Sequence, residues 1–524
     1  MPKCTIDGSQ IEVEAGTTVI EAAGRLGIEI PRFCYHPDLT VDGNCRMCLV
    51  EIEKLPKLQI ACNTAVTAGM VVHTRTEQVL QARRTTLEFL LANHPIDCPV
   101  CDQAGECYLQ DQYMAHGLHE SRVEIEEKVH KRKLVDLGPI MLDAERCVLC
   151  SRCLRFEREV TRTNSLEFRN RGCHTEIGTF LDRPLTHQYA GNLADVCPVG
   201  ALLSHDFRFK MRVWFLEPTP SVCPGCSTGC NVFIDHRDGE AYRLRPRRNV
   251  DVNRSWMCDP GRALYREIGS PTRLAGARLG RGSRSPVPLA EALGAVAERI
   301  AGAADRIAWV ATPQATNEDL FALGRLWEAR GGLLDFRVGD PQDRLHERLD
   351  QILQRADRNP NTQGCLDLEM GRSGVARILE ACRSGRVGVL LLQGPELLRD
   401  GRAAEPLRTV PFVAVMATHE GPELDRADAV LPAAMWAEVD GTFTNHGRRV
   451  QRLHAAFPPP GEARPRWALA EDLLRRLGAP MGVRSERELF HHLAGSVAEY
   501  ASLDHQTLGA TGSVVPRREG EGGS

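Results

Sequence analysis

Cysteine spacing constrains this chain more than any other feature of it. Of its 19 cysteines, 17 lie before residue 260, and fifteen of those fall with one histidine into four sets. Cys34, Cys45, Cys48 and Cys62 make the first set, and His94, Cys98, Cys101 and Cys107 the second. Cys147, Cys150, Cys153 and Cys197 make the third, and Cys223, Cys226, Cys230 and Cys258 the fourth. In a reducing compartment, cysteines grouped in this way bind metal rather than pair as disulfides. The N-terminus, Met1-Pro2-Lys3-Cys4-Thr5, lacks the charged-then-apolar pattern of a secretory signal. No run approaches the roughly 18 apolar residues that span a bilayer. The expectation is a soluble chain that meets a membrane only through partners. The net charge of -4 and an aromatic content of 5% give no reason to expect nucleic acid.

With 524 residues there is room for three or more domains. Residues 1–14 read as a β-hairpin turning at Asp7-Gly8, followed by a short helix capped by Thr17 or Thr18 and ended by Gly27. A cysteine loop and a strand, Leu49 to Ile52, complete a small α+β module. Residues 76–92 read as a helix running into His94-Pro95, 120–133 as a charged, solvated connection, and 268–286 as a Gly/Arg/Ser/Pro linker. Beyond it, helical patterns alternate with apolar runs at Ile307 to Val310, Val387 to Leu392 and Phe412 to Met416, the signature of an α/β domain with a parallel sheet. The Gly-rich end reads as disordered.

The first set, C-x10-C-x2-C-x13-C, suits a [2Fe–2S] cluster with two thiolates per iron. Zinc is its alternative, although zinc ribbons usually carry two CxxC knuckles. In the second set a histidine stands with three residues between it and a CxxC that has no fourth cysteine nearby; a zinc site of three cysteines and one histidine is the alternative there. The third set, CxxCxxC with a remote Cys197-Pro198, is a [4Fe–4S] pattern. The fourth, C-x2-C-x3-C-x27-C, also suits [4Fe–4S], with a four-thiolate zinc site as alternative. Cys4, Cys173, Cys365 and Cys382 have no partners at ligand spacing and read as structural thiols.

Four such sets in this order resemble the large iron–sulfur subunit of respiratory complex I, the G subunit of bacterial NADH-quinone oxidoreductase. Phe33-Cys34-Tyr35-His36, Gly43-Asn44-Cys45-Arg46-Met47-Cys48, the run from His94-Pro95 to Cys107, and Cys147 to Cys153 carry the likeness. It implies one [2Fe–2S] cluster on the first set and three [4Fe–4S] clusters on the others, with His94 as a ligand. The region after Pro271 resembles a molybdopterin oxidoreductase domain through Glu438-Val439-Asp440-Gly441-Thr442-Phe443-Thr444-Asn445, Gly447-Arg448 and Gln451. Pro260 stands where molybdenum relatives carry a basic residue after the fourth cluster cysteine, and the C-terminal region is short. No molybdopterin is expected.

The resulting expectation is an α+β and α/β multidomain protein. A β-grasp ferredoxin-like module spans 1–78, a [4Fe–4S] module held by one histidine and three cysteines 79–120, and a ferredoxin-like [4Fe–4S] module 121–215. A [4Fe–4S] module of the molybdopterin-enzyme type follows at 216–272, a shortened molybdopterin-oxidoreductase-like α/β domain at 273–506 and a disordered tail at 507–524. The resemblance implies an electron-relay subunit of NADH:quinone oxidoreductase, a translocase. It would have no catalytic residues and no substrate site of its own, and, with no G-x-G-x-x-G or P-loop cradle in the sequence, NADH and flavin should bind a partner. Its partners would be the flavin/NADH-binding subunit and quinone-proximal iron–sulfur subunits, on the cytoplasmic side of the inner membrane. A molybdopterin-dependent, formate dehydrogenase-type oxidoreductase is the rival reading, with Cys365 as its thin candidate for a catalytic metal ligand. A soluble-hydrogenase diaphorase subunit would match the first half alone.

Overall fold

Alternating side chains in the first dozen residues form the hairpin that the sequence predicts. β1 (Lys3–Ile6) and β2 (Ser9–Glu12) pair antiparallel. Asp7 and Gly8 between them both take positive φ, which a two-residue hairpin turn requires. The Glu21 carboxylate accepts from the Thr18 amide at 2.9 Å, fixing the start of α1 (Val19–Arg25). That helix buries Val19, Ile20, Ala22 and Ala23. β3 (Leu49–Ile52), β4 (Gln59–Ile60) and β5 (Met70–His73) complete a five-stranded sheet in the order β2-β1-β5-β3-β4. One helix packed with this mixed sheet is a β-grasp arrangement, and Cys48 and Cys62 belong to its core beside Val50 and Val72.

The computed structural model describes residues 1–118, 120–122, 124, 127–339 and 344–516. It divides into two compact units, Met1–Leu216 and Glu217–Ser524. In the first, the β-grasp module leads into α2 (Glu77–Leu91) and α3 (Tyr108–His116). β6 (Val135–Asp136), β7 (Ile140–Leu142) and α4 (Arg152–Phe156) come next. The hairpin of β8 (Leu166–Arg169) and β9 (Glu176–Thr179), then α5 (Asn192–Val196) and β10 (Leu202–Ser204), close the unit. β10, β7 and β6 form a small sheet.

The second unit opens with the antiparallel sheet of β11 (Glu217–Val222), β12 (Asn231–Arg237) and β13 (Glu240–Pro246). Its main body is a seven-stranded sheet. β14 (Ala277–Leu279), β15 (Pro286–Val287), β16 (Ile307–Val310), β17 (Leu333–Asp335), β18 (Val389–Leu392), β19 (Phe412–Ala417) and β20 (Ala429–Pro432) take the order β15-β14-β20-β19-β18-β16-β17. The run from β20 to β17 is parallel throughout. β16, β18, β19 and β20 are buried at every position, as strands covered on both faces must be. β21 (Gly441–Thr444), β22 (Arg449–Leu453) and β23 (Ser513–Val514) form a last small sheet.

Three sequence expectations change. The 268–286 segment is no free linker, because β14 within it pairs with β20 and buries Ala277 and Arg278. Turns at the surface are confined to Ser270–Arg273 and Gly280–Ser283. Residues 507–516, read as disordered tail, are ordered: β23 pairs with β22, and Leu508 and Val515 are buried. The remainder of that tail, 517–524, lies outside the described residues. The charged connection at 120–133, of which 123, 125 and 126 also lie outside them, is not merely solvated. Lys128 donates to the carbonyls of Leu91 and His94, and the Asn93 side chain accepts from the Val129 amide.

Trp309 is fully buried in the main sheet and donates its indole N–H to the Gly331 carbonyl at 2.9 Å. Trp309→Ala should cost about 3–5 kcal/mol, read as a lowered denaturation midpoint of the second unit.

Candidate metal centres

Each donor set is gathered by a turn whose backbone is committed to that purpose. In the first, Arg46 between Cys45 and Cys48 takes positive φ, and β3 and β4 pair so that Cys62 returns beside Cys48. The four sulfurs converge: Cys34 interacts directly with Cys45 and Cys62, and Cys48 with Cys62. Their crowding separates their acidities. The Cys34 thiolate accepts from the Cys45 and Cys62 thiols and is held far below the usual thiol range, while Cys45 and Cys62 are pushed far above it.

His94 follows the C-terminus of α2, and Cys107 caps α3. His94, Cys98, Cys101 and Cys107 line one cavity of about 500 Å³. Burial, helped by the charges of Arg146 and Lys128, lowers the His94 imidazole to about 4. It is therefore neutral at pH 7, the form that binds metal. Its Nδ1 is buried with no hydrogen-bond partner among the described residues, an orphan that a metal ion would satisfy. Burial pushes Cys107 up to about 11.

The third set wraps a small cavity lined by Cys147, Cys150, Cys153 and Cys197. Leu149 and Ser151 both take left-handed φ between the cysteines, and the Leu149 amide donates to the Cys147 sulfur at 3.4 Å. α4 starts within the CxxCxxC run, and α5 delivers Cys197 at its end. Burial pushes Cys147 to about 12 and Cys150 to about 11, with repulsion from neighbouring set members adding to it.

In the second unit, Cys223, Cys226 and Cys230 lie on the loop joining β11 to β12, and Cys258 caps the helix Asp259–Arg262. All four line one cavity. Gly261 packs over it, where a Cβ would stand 3.2 Å from the Cys258 sulfur and 3.3 Å from that of Cys223. Among the described residues, no three His, Cys, Asp or Glu side chains gather tightly enough for one metal ion. In the second, third and fourth sets the donors ring a cavity, which suits a cluster several atoms across.

The sets of the first unit touch one another. Phe33, Cys34, Met47, Leu87, Leu109, Cys150, Val199 and Ala201 form one core, with Cys45, Cys107, Cys147 and Cys197 packed against it. The Asn44 side chain donates to the Leu149 carbonyl at 3.1 Å, joining first set to third. The Pro198 carbonyl accepts from the Tyr108 amide at 2.9 Å, joining third to second. Gly200 approaches the second set so closely that a Cβ there would collide with the Cys101 sulfur. Arg146, just before Cys147, pairs with Asp97 of the second loop at 2.6 Å.

The residues that carry the molybdopterin likeness are engaged inside the protein. Asn445 donates to the Thr228 carbonyl at 3.0 Å, and Gln451 to the Gly229 carbonyl at 2.9 Å. Gln451 also accepts from Asn231 at 2.6 Å, and Arg448 pairs with Asp367 at 3.0 Å. Glu438 pairs with Arg273. Asn445 and Gln451 brace the fourth cysteine loop while Arg448 and Glu438 are held in ion pairs, so these side chains do not fit a pterin ligand. Cys365 is wholly buried in the α/β core and cannot serve as an open metal ligand. Cys4 and Cys382 are likewise buried, while Cys173 is exposed.

Five family models match consecutive stretches. They are the 2Fe-2S iron-sulfur cluster binding domain over 3–77, the NADH-ubiquinone oxidoreductase-G iron-sulfur binding region over 83–122 and the NADH-quinone oxidoreductase subunit 3 ferredoxin-like domain over 138–203. The molybdopterin oxidoreductase Fe4S4 domain matches 216–270, and molybdopterin oxidoreductase matches 290–476. The NADH-quinone oxidoreductase G subunit of Rickettsia bellii is 44% identical over 271 residues, covering 51% of this chain and 39% of that protein. Over these stretches the chain is similar to the G subunits of NADH-quinone oxidoreductase. The Streptomyces coelicolor member is 41% identical over 342 residues, covering 64% of this chain and 40% of that protein. The mitochondrial NADH dehydrogenase [ubiquinone] iron-sulfur protein 1 of Solanum tuberosum is 44% identical over 263 residues, covering 50% of this chain and 35% of that protein. The chain thus spans less than half the length of these relatives. An NAD+-reducing [NiFe]-hydrogenase chain aligns at 29% identity over 40% of this chain and 91% of its own, with a TM-score of 0.36, too low to establish a shared fold. Iron–sulfur domains of both the 2Fe-2S and 4Fe-4S kinds are therefore present. Among the described residues no helix is long and apolar enough to cross a membrane.

Sequence reasoning missed several supporting residues: Lys128, Gly200, Arg152 and Arg155. The last two were visible as Arg152-Cys153 and Leu154-Arg155 at the end of the CxxCxxC run, where arginines stand beside ligands.

Proposed function

We propose that the chain holds one [2Fe–2S] cluster on Cys34, Cys45, Cys48 and Cys62, and three [4Fe–4S] clusters. The latter sit on His94, Cys98, Cys101 and Cys107; on Cys147, Cys150, Cys153 and Cys197; and on Cys223, Cys226, Cys230 and Cys258. Bound there, such clusters take up and pass on single electrons. The chain's own part is to supply thiolates, keep water out and hold the sets adjacent. The observation that carries this reading is the convergence of all sixteen donors, set by set. Contacts of the third set with the first through Asn44, and with the second through Pro198 and Gly200, support an order in which it stands between them.

The function that follows is electron relay within NADH-quinone oxidoreductase, from a flavin/NADH subunit toward a quinone-proximal iron–sulfur subunit, on the cytoplasmic face of the inner membrane. Ile96, Met114 and Leu118 line the cavity of the second set and are exposed, an apolar rim suited to cover by a partner subunit. The module limits at 78, 120, 215 and 272 follow the same assignment. A molybdopterin-dependent activity is disfavoured, because the motif side chains are engaged elsewhere.

Iron and acid-labile sulfide analysis with low-temperature EPR tests the assignment. Two irons plus three sets of four give about 14 per chain. A zinc-rich, EPR-silent protein would reject it, and molybdenum or tungsten at about one per chain would revive the rival enzyme reading.

A further inference from the structure

Two arginines on α4 occupy the junction of the three donor sets in the first unit. Arg152 and Arg155 are 4% and 3% exposed, three residues apart and therefore on one side of the helix. The Arg155 guanidinium donates to the carbonyls of Cys34 and Thr40, to that of Cys150 at 3.3 Å, and to the Ser151 hydroxyl at 3.1 Å. Arg152 donates to the carbonyl of Tyr35 at 2.7 Å and to that of Val196 at 3.3 Å. Its guanidinium also lies over the Tyr108 ring, 5.3 Å from the centroid. Tyr35, Val196 and Tyr108 each adjoin a ligand: Cys34, Cys197 and Cys107. One helical turn thus reaches the backbone of the first and third sets and a ring beside the second.

Neither arginine has a carboxylate partner among the described residues, and Arg152 Nε is buried without any partner there. A buried cation without a counter-charge is strongly destabilising, so natural proteins pair or neutralise such groups. Nearby, Arg146 of the same unit is paired, with Asp97 and Asp143. What surrounds Arg152 and Arg155 instead is backbone carbonyl oxygen and the Ser151 hydroxyl, which itself donates to Asp42, with the sulfurs of Cys150 and Cys197 near enough to feel their charge. Both guanidiniums oppose the upward push of burial on Cys150, and Arg152 does so on Cys197.

We infer that Arg152 and Arg155 are positioning residues that fix the spacing of the first, second and third centres and serve as their buried counter-charge. This rests on the relay reading above. Cluster potentials respond to net charge and to hydrogen bonds around the ligands. The two cations therefore favour the reduced state of the centres they adjoin, chiefly the third. Arg155, bonded to Cys34 and Cys150 alike, acts on the first and third together, whereas Arg152 reaches toward the second.

The test is an EPR-monitored redox titration of the full chain as the wild type, Arg155→Gln and Arg155→Lys. Wild-type iron, sulfide and EPR signals are read first, and their absence would defeat the relay reading itself. Given those signals, Arg155→Gln should move the potentials of the [2Fe–2S] centre and the third centre to more negative values. The fourth centre, held by the other compact unit, should stay put. Arg155→Lys keeps the charge but cannot span both carbonyls. It should restore most of the potential while weakening the magnetic interaction between the first and third centres. Unchanged potentials in Arg155→Gln with clusters retained would overturn the inference. If the Gln variant assembles no clusters, the Lys variant decides: wild-type potentials and coupling there would also overturn it.

Discussion

Replacing Cys153 by serine should abolish electron transfer from the first donor set to the second while leaving the first and fourth centres spectroscopically intact. Cys153 is 7% exposed and lines the third cavity with Cys147, Cys150 and Cys197. A serine hydroxyl there is a weak ligand in a site whose other three donors are already pushed by burial toward the protonated thiol. The third set should therefore assemble poorly or not at all. Its place between the others makes that loss severe, since Asn44 and Arg155 connect it to the first set and Gly200 and Pro198 to the second. The measurement pairs EPR of the NADH-reduced and dithionite-reduced assembled complex with its rate of quinone reduction. Dithionite should still reduce the second centre in the variant, whereas NADH should not. A wild-type quinone reduction rate with the third signal absent would rule out this order of centres.

A milder change separates the second set from the others. His94→Cys supplies a fourth thiolate in place of a neutral imidazole, adding negative charge to the centre. Its potential should fall, seen as a second-set signal that NADH no longer reduces but a stronger reductant does. The buried Nδ1 of His94, to which no described residue bonds, supports a donor role for this position over that of a bystander.

Much of this site was legible because ligand chemistry writes itself into spacing. A CxxCxxC turn cannot place its sulfurs elsewhere than around one face, so Cys147, Cys150 and Cys153 were readable as a group. Of the remote members, Cys197 was marked by the Cys-Pro that follows a CxxCxxC run, while Cys62 and Cys258 rested on spacing and on likeness to a family. The hairpin at Asp7-Gly8, α2, and the parallel strands β16, β18 and β19 were likewise plain from periodicity and turn residues. What escaped was long-range. Gly280 and Gly282 hid the fact that Ala277–Leu279 joins the main sheet, since local composition there says only turn. Lys128 looked like one charge in a solvated run, yet its ammonium meets the carbonyls of Leu91 and His94. The burial of Arg152 and Arg155 escaped as well. Burial of a charge cannot be read from sequence, because the groups that surround it come from residues up to 121 positions away.

Removing iron from the assembled chain should unfold the Met1–Leu216 unit selectively. Its shared core is built partly from donors: Cys34 and Cys150 belong to it, and Cys45, Cys107, Cys147 and Cys197 pack on it. Cys48 and Cys62 sit in the β-grasp core as well. Without metal these become buried thiols facing cavities, and Arg152 and Arg155 lose the negative charge beside them. Metal binding in small metal domains is itself folding free energy, on the order of 10 kcal/mol. The parallel sheet of the second unit owes nothing to the donor sulfurs, since its core of Trp309, Leu391, Met416 and Leu431 is aliphatic and aromatic. Calorimetry should therefore show two transitions in the apo-protein, the first far below its position in the loaded form and the second little moved. The apo first unit should also weaken as pH rises. Its Cys147 and Cys150 thiols hold their protons to about 12 and 11, whereas unfolded cysteine ionises near ~8.5. Between those values the unfolded state binds fewer protons than the native one, so stability falls with increasing pH. Iron-loaded protein should lack this slope, because its ligands are deprotonated already. A single cooperative transition, equally lowered across both units by iron removal, would mean that the metal supports the second unit's main core as well.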